Sequence, residues 1–372
     1  MGIFDFFKKK KVVEEDIVSK PETPKTPKQE SVKSKNNSEL RVKSELLEDV
    51  GIVTHYKGKP FTGIKVEVDK NGVLVAERSM VEGLLQDTST IYFENGEIEG
   101  IENYVNGMLE GPIKIYHENG QLKEEGLAKN DEFDGLAKCY NDLGVLIDET
   151  NWKNGKRHGL HRNYYESGKL RGEMTSKNDL PIGTIKKYFE NGQIWHEINV
   201  KDGKYNGINK EYYESGELIS ETNYVNDEKN GIQILYHKNG QISQERKLVE
   251  DKLEGAFKTY YENGQLKEEG VFKDGEFHGL SKFYSEGGQL IEESYWKNNV
   301  RHGEMKAYTE NGILDEENNF KDGELNGLCK TYDEKGKLID EVLYLKGRPL
   351  DDKLTQELLY GDLPDDTPLD SL

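Results

Sequence analysis

Gly255-Ala256-Phe257-Lys258-Thr259-Tyr260-Tyr261-Glu262-Asn263-Gly264-Gln265-Leu266-Lys267-Glu268-Glu269-Gly270-Val271-Phe272-Lys273-Asp274-Gly275-Glu276-Phe277-His278 is one period of a chain that repeats itself. Its turn glycine recurs every 24 residues, at Gly72, Gly96, Gly120 and onward to Gly336, twelve positions without insertion or deletion. Four residues before most of these glycines stands a Tyr (Tyr92, Tyr116 and so on to Tyr332), and two residues after them comes Leu or Ile. A second glycine keeps the same period from Gly63 to Gly327, with Asp87 as the exception. Self-similarity at this spacing defines a stacked repeat array, in which each unit buries its apolar surface only against its neighbours.

Within one period, two short strand-forming runs flank Glu-Asn-Gly, whose last two residues tolerate positive φ, so the local unit is a β-hairpin. A three-residue loop with its glycine left-handed places the Tyr opposite the Leu/Ile. A two-residue loop would send them to opposite faces. The three-residue loop is the preferred reading. Aromatics six residues beyond the Leu/Ile (Tyr104, Trp152, Tyr224, Phe272, Trp296, Phe320, Tyr344) are then expected on its face, giving each hairpin one apolar line. The connection to the next hairpin is a second turn of the type Asp274-Gly275. Only Pro112 and Pro181 fall between residues 61 and 348, both beside this turn, where a missing N–H costs least. The expected fold is all-β: an elongated single-layer antiparallel meander of about twelve hairpins. At roughly 4.8 Å per strand it would extend about 110 Å.

A longer period overlies the short one. Asn119–Gly159 and Asn263–Gly303 match at many positions 144 residues apart, sharing Trp152 with Trp296, Arg157 with Arg301 and His158 with His302. Duplication of a block of six repeats explains these pairs; drift toward a consensus explains only the shared Gly, Tyr and Leu.

Four segments follow. Residues 1–11 are basic and aromatic, 12–48 read as a disordered linker with Pro21, Pro24 and Pro27 among polar residues, 49–350 form the array, and 351–372 are an acidic tail with a helical turn expected near Leu354–Leu359. The 372-residue chain carries −20, but residues 1–45 carry +3, leaving −23 on the rest. That charge argues against nucleic acid and against lipid binding by the repeats themselves. It suits a basic protein partner, although acidity also serves solubility. In the first segment, Phe4, Phe6 and Phe7 precede Lys8, Lys9, Lys10 and Lys11. These residues are candidates for weak peripheral membrane contact, against the plainer reading of a frayed terminus. They are too few to span a bilayer and lack a secretory apolar region. Cys139 and Cys329 lie in different phases of the repeat, too far apart in a linear array for a disulfide. Their use, with no exporting signal, favours the cytoplasm.

Chemistry is weakly signalled. His158, His278 and His302 share one slot, but equivalent residues of adjacent hairpins stand roughly 10 Å apart, too far for one metal ion. The Glu five residues after each turn glycine recurs in eleven repeats. It reads as scaffold, with Lys or Arg of the neighbouring strand as its partner, because catalysis needs one special constellation. No P-loop, nucleophile elbow or zinc-binding motif occurs. No cofactor, metal site or enzyme activity is expected.

Tyr-x-Glu-Asn-Gly-Gln-Leu with Lys-Asp-Gly-x-x-x-Gly resembles the MORN repeat variant over about 300 residues. Bacterial chains built of such repeats are similar to the YwqK-type antitoxin family of toxin-antitoxin systems. That resemblance implies an elongated sheet of consecutive hairpins and neutralisation of a protein toxin, a basic one given the charge. The leading expectation is therefore a non-catalytic, antitoxin- or immunity-type binding protein. Its candidate anchors are Trp152, Trp195, Trp296 and Tyr295, against the alternative that aromatics in this repeat pack on their neighbours. The competing expectation is a scaffold tethered at the membrane surface through its first eleven residues.

Overall fold

A computed structural model describes residues 39–350. The segments 1–11 and 351–372, with their membrane-contact and helical-turn readings, lie outside the described residues, as does most of the linker. Every regular element among the described residues is a strand, except one 3-10 turn at Ser44–Leu46. They form two compact units, one ending at Gly192 and one beginning at Gln193. Each is an antiparallel meander in which strands consecutive in the chain pair with one another. The all-β hairpin architecture is therefore as read.

The first turn is the three-residue loop. His117 N–H donates to the Gln121 carbonyl (2.8 Å) and Gly120 N–H donates back to the His117 carbonyl (2.8 Å). Gly120 is left-handed at φ 79°, and Asn119 Oδ1 accepts from Gln121 N–H at 3.0 Å, the local bond that suits Asn to turns. Tyr116 pairs with Leu122, as the loop length dictates.

One expectation fails just past that pair. Tyr116 faces Leu122 but Ile115 faces Glu124, so Lys123 is an extra residue, a β-bulge. The same slip recurs along the array, for example between Phe283 and Tyr284. An extra residue inverts all side chains beyond it. The aromatics six residues past the Leu/Ile (Tyr104, Trp152, Phe272, Trp296) consequently lie on the opposite face from the periodic Tyr and Leu. Strict alternation, carried through the bulge, had put them together. The sheet has two chemically distinct faces: one bears Tyr, Lys and Glu, the other the apolar core.

The second turn is a two-residue turn with both residues left-handed, as at Asn154 (φ 48°) and Gly155 (φ 68°) between paired Lys153 and Lys156. Its twist matches that of the strands it joins. Both turn edges are stitched from repeat to repeat. At the second turn, Gly155 N–H donates to the Phe133 carbonyl (3.0 Å) and Asp179 Oδ1 accepts from Arg157 N–H (2.9 Å). At the first, Asn119 Nδ2 donates to the Asp142 carbonyl (2.7 Å) and the Tyr165 hydroxyl to the Tyr188 carbonyl (2.7 Å).

The core is shallow and lies on one face. In the first unit Tyr104, Leu109, Ile113, Ala128, Phe133, Ala137 and Trp152 pack together. In the second, Phe272 and Phe277 stack at 4.4 Å between centroids, flanked by Phe257 and Trp296. Order begins before residue 49. Arg41–Lys43 pairs in parallel with Gly63–Val68, burying Val42 against Phe61 and Met80. Residues 41–48, read as the end of a linker, thus belong to the structure, because one apolar side chain and a strand edge anchor them.

Candidate partner-binding surface

The Tyr-Lys-Glu face is an internal ladder. Apart from Tyr116, the periodic Tyr hydroxyls donate to the Glu fifteen residues before them, in the preceding repeat: Tyr140 to Glu125 (2.9 Å), Tyr164 to Glu149 (2.8 Å), Tyr284 to Glu269 (2.9 Å) and Tyr332 to Glu317 (2.7 Å). The cations follow the same rule. Arg162 reaches Glu149 and Glu173, both at 3.2 Å, and Lys210 reaches Glu221 at 2.7 Å. The scaffold reading of the repeated Glu is therefore right. Burial first, and then the adjacent carboxylate, push the Tyr140, Tyr164, Tyr284 and Tyr308 phenols up to about 12. Hydrogen bonds to Glu149 and Glu173 raise Arg162. These residues hold one another and have little left to offer a partner.

The four candidate anchors separate into two kinds. Trp152 is buried, with its ring 5.9 Å from Phe133 in the first unit's core. Trp296 fills the same slot in the second unit, where its Nε1 donates to Ser281 Oγ (2.7 Å) and the Arg301 guanidinium covers its ring at 5.5 Å. Both pack against their own repeats. Trp195 and Tyr295 remain exposed, at 40% and 46%. They lie four repeats apart, roughly 38 Å at two strands per repeat, so no single contact brings them together.

Tyr295 belongs to a feature that the sequence did not show. On the ladder face, one row per repeat lies between the Lys-Glu pairs and the second turn. Its pairings are Ala256 with Val271 and Leu280 with Tyr295. In many repeats this row carries an Asn that closes on a neighbouring carbonyl, as Asn151 does on Leu160 and Asn319 on Leu328, each at 2.7 Å. Some positions of the row are instead apolar and open: Val271 is 41% exposed in the second unit, and Leu127 and Leu136 are 45% and 41% exposed in the first. There, Pro112, Leu127 and Leu136 border a shallow hollow of about 220 Å³ with Lys114, Glu125 and Lys138. The two stretches stand one long period apart. Only the bulge reveals the row, because unbroken alternation assigns these residues to the wrong face.

The remaining sequence candidates resolve into structural roles. His158 Nδ1 lies 3.3 Å from Asn178 Oδ1 and His302 Nδ1 lies 3.3 Å from Asp322 Oδ1, so these two histidines help stack second turns. Among the described residues, no three His, Cys, Asp or Glu side chains gather as a metal would require. Neither Cys139 nor Cys329 is in a disulfide, and burial raises the Cys329 thiol. No helix among the described residues is long and apolar enough to cross a membrane.

Fold and surface together define a β-hairpin repeat protein. The chain belongs to the MORN repeat variant family, whose model matches residues 88–106, 109–130, 157–178, 181–202, 205–226, 229–247, 253–274, 277–298, 301–322 and 325–346, more than half of its length. No curated protein matches it. Among solved structures, the crystal structures of TcdB2-TccC3-Cdc42 and of TcdB2-TccC3 without its hypervariable C-terminal region each align with it at 11% identity and a TM-score of 0.17, over 80% and 79% of this chain. TcdB2-TccC3 itself aligns at 12% identity and the same TM-score of 0.17 over 79% of this chain. The chain spans about a fifth of those proteins' length.

Proposed function

We propose that this protein is a non-catalytic binding protein of the antitoxin or immunity type, which neutralises a basic protein toxin by covering it with the ladder face. The observation that supports this reading is the open apolar row on a face whose charged side chains already hold one another. A partner can bury Val271, Leu280 and Tyr295 without first breaking the ladder, and aromatic anchors of this kind dominate interface energies. The net charge of −20 would steer a basic partner and speed its encounter. The test is growth rescue: the protein is co-expressed with a toxin encoded beside its gene, as wild type and as Tyr295→Ala with Val271→Asp. Rescue by the wild type and its loss in the variant support the proposal; no rescue by the wild type counts against it. The competing reading, a scaffold tethered at a membrane, rests on the composition of residues 1–11, and flotation with phosphatidylserine vesicles tests it.

A further inference from the structure

The first unit holds a cavity of about 510 Å³ on its core face, between the strand pair Glu48–Val50 and Val53–Tyr56 and the second turns that begin the array. Ile52, Leu84, Leu85 and Met108 supply its apolar wall, and Asp49 and Glu67 are among its polar residues. Phe61 and Met80 stand whole periods before Phe133 and Trp152, and before Phe277 and Trp296, and like them pack against one another, here beside the cavity. The cavity is open, and its apolar lining reaches the surface: Ile52 is 88% exposed and Met108 47%. The size is that of a site for a small ligand or a short peptide.

The charges around it are unbalanced. Lys65 and Arg78 also line the cavity and pair directly across the hairpin. Glu67 lies 3.6 Å from the first and 3.1 Å from the second. Beneath Arg78, at 3.6 Å, lies Glu102, only 1% exposed. Its Oε2 accepts from the Tyr104 hydroxyl, while its Oε1 is buried with no hydrogen-bond donor among the described residues. In the lining Asp49 and Glu67 match the two cations, and the buried Glu102 beneath Arg78, with exposed Glu48 and Glu82 next in the chain to Asp49 and Gly83, tips the balance toward acid. The site therefore suits an apolar group followed by positive charge.

We propose that this cavity is the docking site of the chain's own segment Ile3–Lys11, with Phe4, Phe6 and Phe7 against the apolar wall and Lys8–Lys11 along the acidic rim. Both halves of the segment match: three aromatics for the wall, and four lysines against one Asp for the rim. Position matches as well. The described chain begins at Glu39, and the Leu40 carbonyl accepts from Ile64 N–H at 2.9 Å, one residue from Lys65 in the cavity wall. From Lys11 to Glu39 is 28 residues of linker composition, with an average reach of about 30 Å. Tethered so close, the segment meets the site at an effective concentration on the order of millimolar, which makes modest intrinsic affinity sufficient. Docking would also withhold the aromatic-lysine segment from membranes and from other chains.

The test uses the full chain with a benzophenone amino acid in place of Phe6. It is irradiated alone and with phosphatidylserine vesicles, and the adducts are mapped by mass spectrometry. The proposal expects intrachain adducts concentrated on Met80, Leu84, Leu85 and Met108 in both conditions. They should fall at least fivefold when Ile52→Asp and Met108→Asp are introduced, two exposed positions whose change leaves the circular dichroism of the array intact. Adducts to a second copy, to lipid in place of the cavity, scattered along the chain, or none at all, would overturn it. The outcome is independent of which partner the ladder face binds.

Discussion

At the scale of single residues, two positions show how tightly the repeat is specified. Gly126 and Gly270, one long period apart, are glycines for want of space. A Cβ on Gly270 would stand 2.7 Å from Phe257 Cε1 and 3.1 Å from Ser281 Cβ, and one on Gly126 would stand 2.9 Å from Phe133 Cε1. Gly270→Ala should cost about 1–3 kcal/mol through overpacking, and adding Phe257→Leu should recover part of that loss. Urea unfolding measures both, and a neutral Gly270→Ala would mean that the aromatic does not lie over the glycine. Asp87 is the opposite case. It stands where the period supplies glycine and itself adopts φ 61°, so Asp87→Gly should stabilise the first unit by up to about 1 kcal/mol, seen as a higher unfolding midpoint. The sequence marked Asp87 as an exception through its period. It could not mark Gly126 or Gly270, because the reason for them is a ring from a neighbouring strand.

At the scale of the hairpin, the Tyr-Glu bond joins each repeat to the one before it. Tyr284→Phe keeps the ring and removes the donor to Glu269, and should cost about 1 kcal/mol. A like change at Tyr116, whose counterpart fifteen residues earlier is Ile101, should cost less. The comparison of the two midpoints is the check. The ladder also fixes a pH dependence. Its phenols titrate near 10 when unfolded, and those of Tyr140, Tyr164, Tyr284 and Tyr308 are raised to about 12 in the fold. The folded state therefore holds these protons more tightly, and their contribution is complete below pH 10. It is lost as pH rises from 10 through 12. Thermal midpoints should decline over that window. Midpoints unchanged between pH 10 and 12 would contradict the ladder. This element was half legible: the periods of Tyr, Glu and Lys were plain, and so was the loop that sets Tyr against Leu. The bulge was not, because Lys123 and its counterparts look like ordinary members of an alternating strand. The bulge puts the row of Val271, half-buried Leu280 and Tyr295 on the Tyr-Lys-Glu face and Trp152 and Trp296 on the core face, the reverse of unbroken alternation.

At the scale of the molecule, among the described residues each repeat leans on its neighbours. Lateral bonds at both turns and the Tyr-Glu ladder all span about one period, and the core is a strip rather than a centre. Stability is then a sum of like interfaces. The most direct test is to delete one complete interior period, Gly255 to His278, so that Gly231–Glu254 runs directly into Gly279. The expected product is a folded, strand-rich protein that unfolds cooperatively in urea, with a slope reduced in proportion to the surface removed. A chain that loses its fold altogether would contradict this dependence on neighbours alone, because it would show the repeats to be parts of one long-range core.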